Sequence, residues 1–218
     1  PDLISVRGRE MLEKADLILY AGSLVPRELT LCAKPGATVR SSASMDLEEQ
    51  FALMKEFYNK GKFIVRLHTG DPCLYGAIRE QMDALDQRHI AYTYVPGVSS
   101  FSAAAAAVRK EYTLPGISQS VIITRMEGRT PVPDGQRIAD YAAHHATMVI
   151  FLSTGLLDKL QTELIRGGYA EDTPAAIVYK ASWPDERVFY CTVSTLAETA
   201  AAAGIRLPQS MLLSPGVT

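Results

Sequence analysis

The sequence has 218 residues, of which 47% are hydrophobic, and a formal net charge of −2 at pH 7. A chain of this length can bury a substantial core, as one domain or two small ones. Its near-balanced charge gives no sign of the basic stripe that neutralises nucleic-acid phosphates, so we expect no nucleic-acid partner. No apolar run is long enough to span a bilayer and no signal-like start is present, so we expect a cytoplasmic protein.

The first half of the chain alternates short apolar runs with helical patterns, which is typical of an α/β fold with a mostly parallel sheet. The predicted strands are residues 17–20, 63–67 and 92–95. Asp46 and Glu49 form a predicted capping box, and Gly61 follows as a stop signal. A helix is therefore predicted between Asp46 and Gly61.

Leu114-Pro115-Gly116 interrupts this pattern. We predict a boundary here between an N-terminal α/β domain, residues 1–115, and a C-terminal α/β domain, residues 116–218. The second domain has less regular crossovers, which predicts a mixed sheet. Its predicted strands are residues 121–124, 147–152, 175–179, 188–192 and 211–213, and its predicted helices are residues 156–166 and 196–203.

The turn His68-Thr69-Gly70-Asp71-Pro72 follows a predicted strand. Ligands of open α/β sheets gather at such carboxyl ends, and Gly70 would let its backbone approach a ligand closely. Asp71 and Pro72 equally suit a helix start, as an N-cap acceptor and a first helical residue. The residues alone leave both interpretations open, a helix cap and a ligand site.

A second turn, Pro96-Gly97-Val98-Ser99-Ser100, also joins a predicted strand to a helix. Ser99 or Ser100 can cap that helix or bind a ligand. Two such turns on successive strands would face the same crevice, which favours a ligand site there.

A proline-stiffened loop carries Arg125, Glu127 and Arg129. Arginine binds carboxylates bidentately, so this loop suits a substrate with several carboxylates; the alternative is an exposed loop with an internal Arg-Glu pair. The segment around Trp183 is predicted to pack or to form a hairpin.

Motifs for dinucleotide, P-loop, metalloprotease and serine-hydrolase chemistry are absent. The cysteines suit neither a disulfide framework nor a zinc site, and we expect reduced, mostly packed thiols and no metal. They are Cys32, Cys73 and Cys191.

Taken together, these segments resemble the tetrapyrrole methylase family. Residues 66–76 are similar to its Gly-Asp-Pro signature, and Pro96-Gly97-Val98-Ser99-Ser100-Phe101 is similar to its next turn. Within the family, residues 20–25, the histidine before Thr69 and residues 124–131 resemble the members that methylate precorrin-4, or its cobalt form, at C11.

The resemblance implies two α/β domains with S-adenosylmethionine in the cleft between them, a tetrapyrrole substrate and a homodimer. The residues implied to contact the cofactor are Gly70, Asp71, Ser99, Ser100, Leu152 and Ala181. Those implied to border the tetrapyrrole are Arg125, Glu127 and Arg129.

One departure concerns the start of the chain. The family opens with a strand and a glycine-rich loop, of which Pro1-Asp2-Leu3 resembles only the tail. Because that loop lines the substrate trough in the family, we expect the chain as given to bind cofactor poorly or to be inactive, even if its full-length parent is an enzyme.

The implied reaction is in-line methyl transfer to an electron-rich ring carbon, for which alignment is the protein's main task. His68 and Asp71 are the candidates for an assisting base. Two other hypotheses remain, namely a sister methylase acting at another position and a non-catalytic module that binds S-adenosylmethionine.

Overall fold

The computed structural model describes residues 1–22, 24–128, 131–152, 156–205 and 209–213. The chain forms two compact units, Pro1–Ser99 and Ser100–Thr218. Both are α/β, as predicted.

The first unit alternates helices and strands along the chain. Its elements are α1 (Val6–Lys14), β1 (Leu17–Tyr20), α2 (Arg27–Thr30), β2 (Thr38–Ser41), α3 (Leu47–Asn59), β3 (Ile64–Leu67) and α4 (Arg79–Asp86).

The three strands of the first unit form a parallel sheet in the order β2-β1-β3. Successive side chains of the central strand β1 point to opposite faces, and Leu17, Ile18 and Leu19 are all fully buried. Ile18 packs in one apolar cluster with Leu12 of α1, and Leu19 in another with Met54 of α3. Helices therefore cover both faces of this sheet, as the apolar runs predict.

Helix α3 begins where the capping box predicts. The Asp46 side chain accepts the Glu49 N–H at 2.8 Å, and the Glu49 side chain accepts the Asp46 N–H at 2.9 Å. Gly61 lies beyond the helix end with a φ of 65°. This helix packs Met54 onto the sheet.

The prediction of a strand at residues 92–95 was wrong, because this segment pairs with no described strand. Its tyrosines bond through their side chains instead. The Tyr92 hydroxyl donates to Asp86 at 3.2 Å, and the Tyr94 hydroxyl donates to Asp71. Aromatic residues favour strands only where a backbone partner is available. Conversely, β2 forms although its sequence predicted no strand.

The second unit begins with a helix. Its elements are α5 (Ser100–Val108), β4 (Val121–Arg125), α6 (Ile138–Ala142), β5 (Thr147–Leu152), α7 (Leu157–Arg166), β6 (Pro174–Tyr179), β7 (Arg187–Thr192), a 3₁₀ turn (Val193–Thr195), α8 (Leu196–Ala202) and β8 (Gln209–Leu213).

The sheet of the second unit is mixed, as predicted, and its strand order is β4-β5-β8-β6-β7. Strands β4 and β5 are parallel, whereas β8 is antiparallel to both β5 and β6, and β6 and β7 form an antiparallel hairpin. Residues 180–186 connect this hairpin, which confirms the hairpin prediction for the Trp183 segment.

The two faces of this sheet have different covers. On one face α6, α7 and α8 pack over Met148, Ile150 and Ile177. On the other, α5 packs Ala104 and Val108 over the alternate residues of β5 and β6, which are Val149, Ala176 and Val178.

Because α5 packs on this sheet, the contacts assign it to the second unit, although the sequence analysis places the domain boundary after residue 115. That boundary stays a prediction. None of the described helices is long and apolar enough to cross a membrane.

Candidate functional site

One of the two interpretations predicts that a helix starts at Asp71, in the turn after β3. The structure shows no helix start there. Helix α4 begins only at Arg79, with Ile78 at its N-cap and no side-chain cap. The Asp71 carboxylate oxygen Oδ1 instead accepts the backbone N–H of Cys73 at 2.9 Å. The helix-cap interpretation is therefore wrong, and Asp71 closes a turn of its own.

The backbone conformation explains why helix formation is delayed. Gly70, Tyr75 and Ala77 have φ values of 61°, 57° and 49°. A left-handed residue cannot continue a right-handed helix, and for residues other than glycine it costs about 1–2 kcal/mol. Gly76 lies against the carbonyl of Pro72, where a Cβ would overlap it. The segment is thus a tight, strained turn.

The second turn lies directly against the first. A Cβ on Gly97 would overlap the carbonyl oxygen of Gly70, and Tyr94 donates its hydroxyl hydrogen to Asp71. The sequence predicts that these two turns face one crevice. The structure packs them directly against each other, although no described strand directly precedes the second turn. Only a residue without a side chain allows the two backbones this close.

The two serines of the second turn fall in different units. Ser99 is the last residue of the first unit and is 6% exposed, whereas Ser100 is the first residue of α5 in the second unit. Their predicted roles in capping or ligand binding stay predictions.

Arg66 lies in β3 and His68 directly follows the strand, two residues further along. Because side chains alternate along an extended backbone, these two side chains point to the same side of the chain. The Arg66 guanidinium donates to the Leu19 carbonyl at 2.9 Å and to Gln50 Oε1 at 3.2 Å. Its Nε and His68 Nε2 are buried without a hydrogen-bond partner among the described atoms.

Burial controls the protonation of His68. Burial, and next the charge of Arg66, lower the pKa of His68 from its ordinary value of 6.5 to about 4. Burial also lowers the pKa of Arg66. Near neutral pH the imidazole is therefore uncharged.

Strand β4 ends at Arg125, the first residue of the predicted carboxylate-binding loop. The Arg125 guanidinium donates to the carbonyl of Met126 at 3.5 Å and to that of Pro131 at 3.3 Å. Glu127 is half-buried. Arg129 lies outside the described residues.

The two remaining candidates are at strand ends of the second unit. Leu152 ends β5, and its backbone pairs with Gln209 of β8. Ala181 is half-buried and packs against the cluster beneath α5. Its neighbours Lys180 and Ser182 have φ values of 48° and 69°, both in the left-handed region.

Side-chain contacts hold the Ala181 turn. Lys180 Nζ lies 2.6 Å from Asp185 Oδ2, and the Ser182 N–H donates to Glu186 Oε2 at 2.6 Å. Such strained residues persist only where surrounding contacts over-determine them, and they cluster at ligand sites.

Tyr94 and Arg66 were not among the residues predicted for the site, and Tyr94 was interpreted only as part of a strand. The signal for Arg66 was its position two residues before His68 on a strand. For Tyr94 the sequence carries no comparable signal. Within the described part of the chain, no group of three or more His, Cys, Asp or Glu residues is placed to hold a metal ion.

The comparisons with known proteins agree with this arrangement. Residues 1–197 match the family model for tetrapyrrole (corrin/porphyrin) methylases, and the chain belongs to that family. Family membership places the chain among methylases.

The chain is similar to particular members of this family. The cobalt-precorrin-4 C(11)-methyltransferase of Methanocaldococcus jannaschii is 49% identical to this chain, over 94% of this chain and 80% of the relative. The cobalt-precorrin-4 C(11)-methyltransferase of Priestia megaterium is 48% identical to this chain, over 98% of this chain and 83% of the relative. An X-ray structure of the cobalamin biosynthetic enzyme cobalt-precorrin-4 methyltransferase, CbiF, is 48% identical with a TM-score of 0.94, covering 98% of this chain and 89% of that one.

The contact between the two turns predicts the effect of adding a methyl group at Gly97. We expect Gly97→Ala to lower the free energy of unfolding by about 1–3 kcal/mol, because the Cβ overlaps the Gly70 carbonyl and the turns must separate. Urea unfolding measures this change. Gly128→Ala is the control, since a Cβ there meets nothing within 4 Å, and it should not lower stability. Equal stability of the two variants would contradict the contact.

The burial of His68 predicts how stability depends on pH. The folded chain binds the His68 proton more weakly than the unfolded chain does, with pKa values of about 4 and 6.5. This contribution to stability is complete above about pH 6.5 and is lost as the pH falls toward 4, on the order of 2–3 kcal/mol. We expect NMR titration of the His68 imidazole to give a midpoint near 4.

His68→Gln should remove this part of the pH dependence in urea unfolding. His144→Gln, which changes an exposed histidine, should leave it intact. A His68 midpoint near 6.5 would show that the imidazole is not buried as described.

Proposed function

We propose that this chain transfers the methyl group of S-adenosylmethionine to C11 of cobalt-precorrin-4 in cobalamin biosynthesis. The observation that carries the proposal is the paired turn, Gly70-Asp71 against Gly97, in a chain 48–49% identical to cobalt-precorrin-4 C(11)-methyltransferases. Metal-free precorrin-4 is the alternative substrate.

The first-unit residues fit a cofactor bound mainly through backbone groups. Gly70 is exposed, and the close approach of Gly97 fixes the direction of its carbonyl. Gly70, Asp71 and Ser99 are the residues of this unit that would hold S-adenosylmethionine, which supplies a methyl group activated by a sulfonium charge.

In the second unit, Ser100, Leu152 and Ala181 are proposed for the same role. The left-handed residues on either side of Ala181 support it, because they hold its backbone in one direction without a flexible glycine. Rigid backbone groups of this kind orient a bound molecule with little loss of entropy on binding.

The chain contributes alignment more than proton transfer. Holding reactants in line can supply roughly 7–11 kcal/mol of a barrier. His68, with a pKa of about 4, is a poor general base near neutral pH, because an effective base has a pKa near the working pH. Asp71 accepts hydrogen bonds from Cys73 and Tyr94. These observations favour structural roles for both candidates.

A tetrapyrrole carries several carboxylates, and Arg125, Glu127 and Arg129 are proposed to border it. The position of Arg125 at the end of β4 supports this role. Its guanidinium donates to the carbonyls of Met126 and Pro131, and the planar shape of the guanidinium suits a bidentate contact with a carboxylate. A homodimer and a cytoplasmic location stay predictions.

The proposed reaction is tested by incubating the 218-residue chain, and in parallel a longer form that also carries the family's first strand and glycine-rich loop, with ¹³C-methyl S-adenosylmethionine and cobalt-precorrin-4. NMR then locates the label. We expect label at C11 from the longer form, and transfer by the longer form alone would show that the first strand and the loop are needed for the reaction. Metal-free precorrin-4 in a parallel reaction should be methylated more slowly.

The outcomes separate the alternatives. Label at another ring carbon would indicate a sister methylase. Binding of S-adenosylmethionine without transfer to either substrate would indicate a non-catalytic module. Faster transfer to metal-free precorrin-4 would reverse the proposed substrate preference.

The role of Arg125 predicts a change in substrate affinity alone. Because hydrogen bonds to a charged group contribute about 1.5–3 kcal/mol, Arg125→Ala should raise KM for the tetrapyrrole about ten- to a hundredfold. The KM for S-adenosylmethionine should stay within about twofold of the wild-type value. Steady-state kinetics measures both.

Arg166→Ala is the control, because Arg166 pairs with Glu163 on α7 and is exposed. It should change neither constant. If Arg125→Ala leaves the tetrapyrrole KM unchanged, the carboxylate-binding role is wrong.

A further inference from the structure

Three polar groups converge on the first turn of the candidate site. The Tyr94 hydroxyl donates to Asp71 Oδ1. The backbone N–H of Cys73 donates to the same oxygen at 2.9 Å and also to the Tyr94 hydroxyl oxygen at 3.3 Å. The carboxylate of Asp71 is thus held both from within its own turn and by a side chain 23 residues away in sequence.

A second contact joins the same two segments independently. Gly97, which lies three residues after Tyr94, packs against the carbonyl of Gly70, which lies one residue before Asp71. The segments therefore touch at a backbone point and at a side-chain point. Two separate contacts restrict the rotation of one turn relative to the other more than a single contact would.

The turn needs such external contacts. Tyr75 and Ala77 adopt left-handed backbone conformations that side chains disfavour, by about 1–2 kcal/mol each. A strained turn keeps one conformation only when its surroundings over-determine it. Tyr94 suits this task because a half-buried aromatic ring carries its hydroxyl on a stiff side chain with few rotamers.

We propose that Tyr94 is a positioning residue for the cofactor: its hydroxyl fixes Asp71, and thereby the conformation of the Gly70-Asp71 turn that binds S-adenosylmethionine. This inference rests on the proposed function. Tyr94 acts through Asp71, so it should influence affinity for the cofactor more than the rate of methyl transfer.

The chain offers a matched control two residues earlier. Tyr92 also donates its hydroxyl to an aspartate, Asp86, at 3.2 Å, and its side chain is 40% exposed. Asp86 lies at the end of α4 and outside the candidate site. Tyr92→Phe therefore removes the same chemical group and the same type of bond without touching the turn.

The first experiment compares Tyr94→Phe with Tyr92→Phe in a form of the protein that carries the family's first strand and glycine-rich loop ahead of the 218 residues. Calorimetric titration with S-adenosylhomocysteine gives the dissociation constant, and steady-state kinetics gives KM for S-adenosylmethionine and kcat. We expect Tyr94→Phe to raise the dissociation constant and KM about five- to tenfold, with kcat within about twofold. Tyr92→Phe should change none of these.

The second experiment observes the bond itself, independently of cofactor. Burial, and next the hydrogen bond to Asp71, raise the pKa of Tyr94 above its ordinary value of 10.0. With ¹³C-labelled tyrosine, NMR should find that the pKa of Tyr94 lies above the ordinary value of 10.0. Asp71→Asn should lower the pKa of Tyr94, because it removes the negative charge that opposes ionisation, whereas Asp86→Asn should not.

The outcomes are distinct. A wild-type chain that binds S-adenosylhomocysteine while Tyr94→Phe binds it equally well overturns the inference, even if that variant unfolds at a lower temperature. A Tyr94 pKa that does not respond to Asp71→Asn also overturns it. A wild-type chain that binds no S-adenosylhomocysteine overturns the proposed function, and the NMR titration then still decides whether Tyr94 holds Asp71.

Discussion

The contact between the Gly97 backbone and the Gly70 carbonyl constrains the whole candidate site of the first unit. At this distance no side chain fits, so the two turns can meet only because residue 97 is glycine. The first turn follows the end of β3, so the parallel sheet sets the position at which this turn meets Gly97. The contact then determines where Asp71 lies, and with it the hydrogen bonds from Cys73 and Tyr94.

The electrostatics of this region favour binding and orientation over acid-base chemistry. Arg66 is a partly buried cation whose described partners are a carbonyl and an amide oxygen, and His68 beside it is neutral near pH 7. Asp71 is engaged as an acceptor of hydrogen bonds within its turn. For transfer of a methyl group from a sulfonium to a nucleophilic ring carbon, alignment of the reacting groups is the main requirement.

Much of the fold could be predicted from local patterns. Periodicity and capping signals located β1, α3 and the strands of the mixed sheet, because each depends on residues close together in sequence. The strand predicted at residues 92–95 failed because pairing requires a partner elsewhere in the chain. Helix α5 was located correctly, but its packing on the second sheet depends on Val149 and other distant residues, which its sequence does not specify.

For the site, the sequence by itself indicated that the Gly70-Asp71 turn and the Gly97 turn belong to one ligand site, and it led to the methylase family through their motifs. Only the tertiary structure decided that Asp71 closes a turn instead of capping α4, and that Tyr94 bonds to it. The reason is physical: a motif records which residues are neighbours along the chain, whereas burial, backbone strain and hydrogen bonds across 23 residues depend on the path that the folded chain takes.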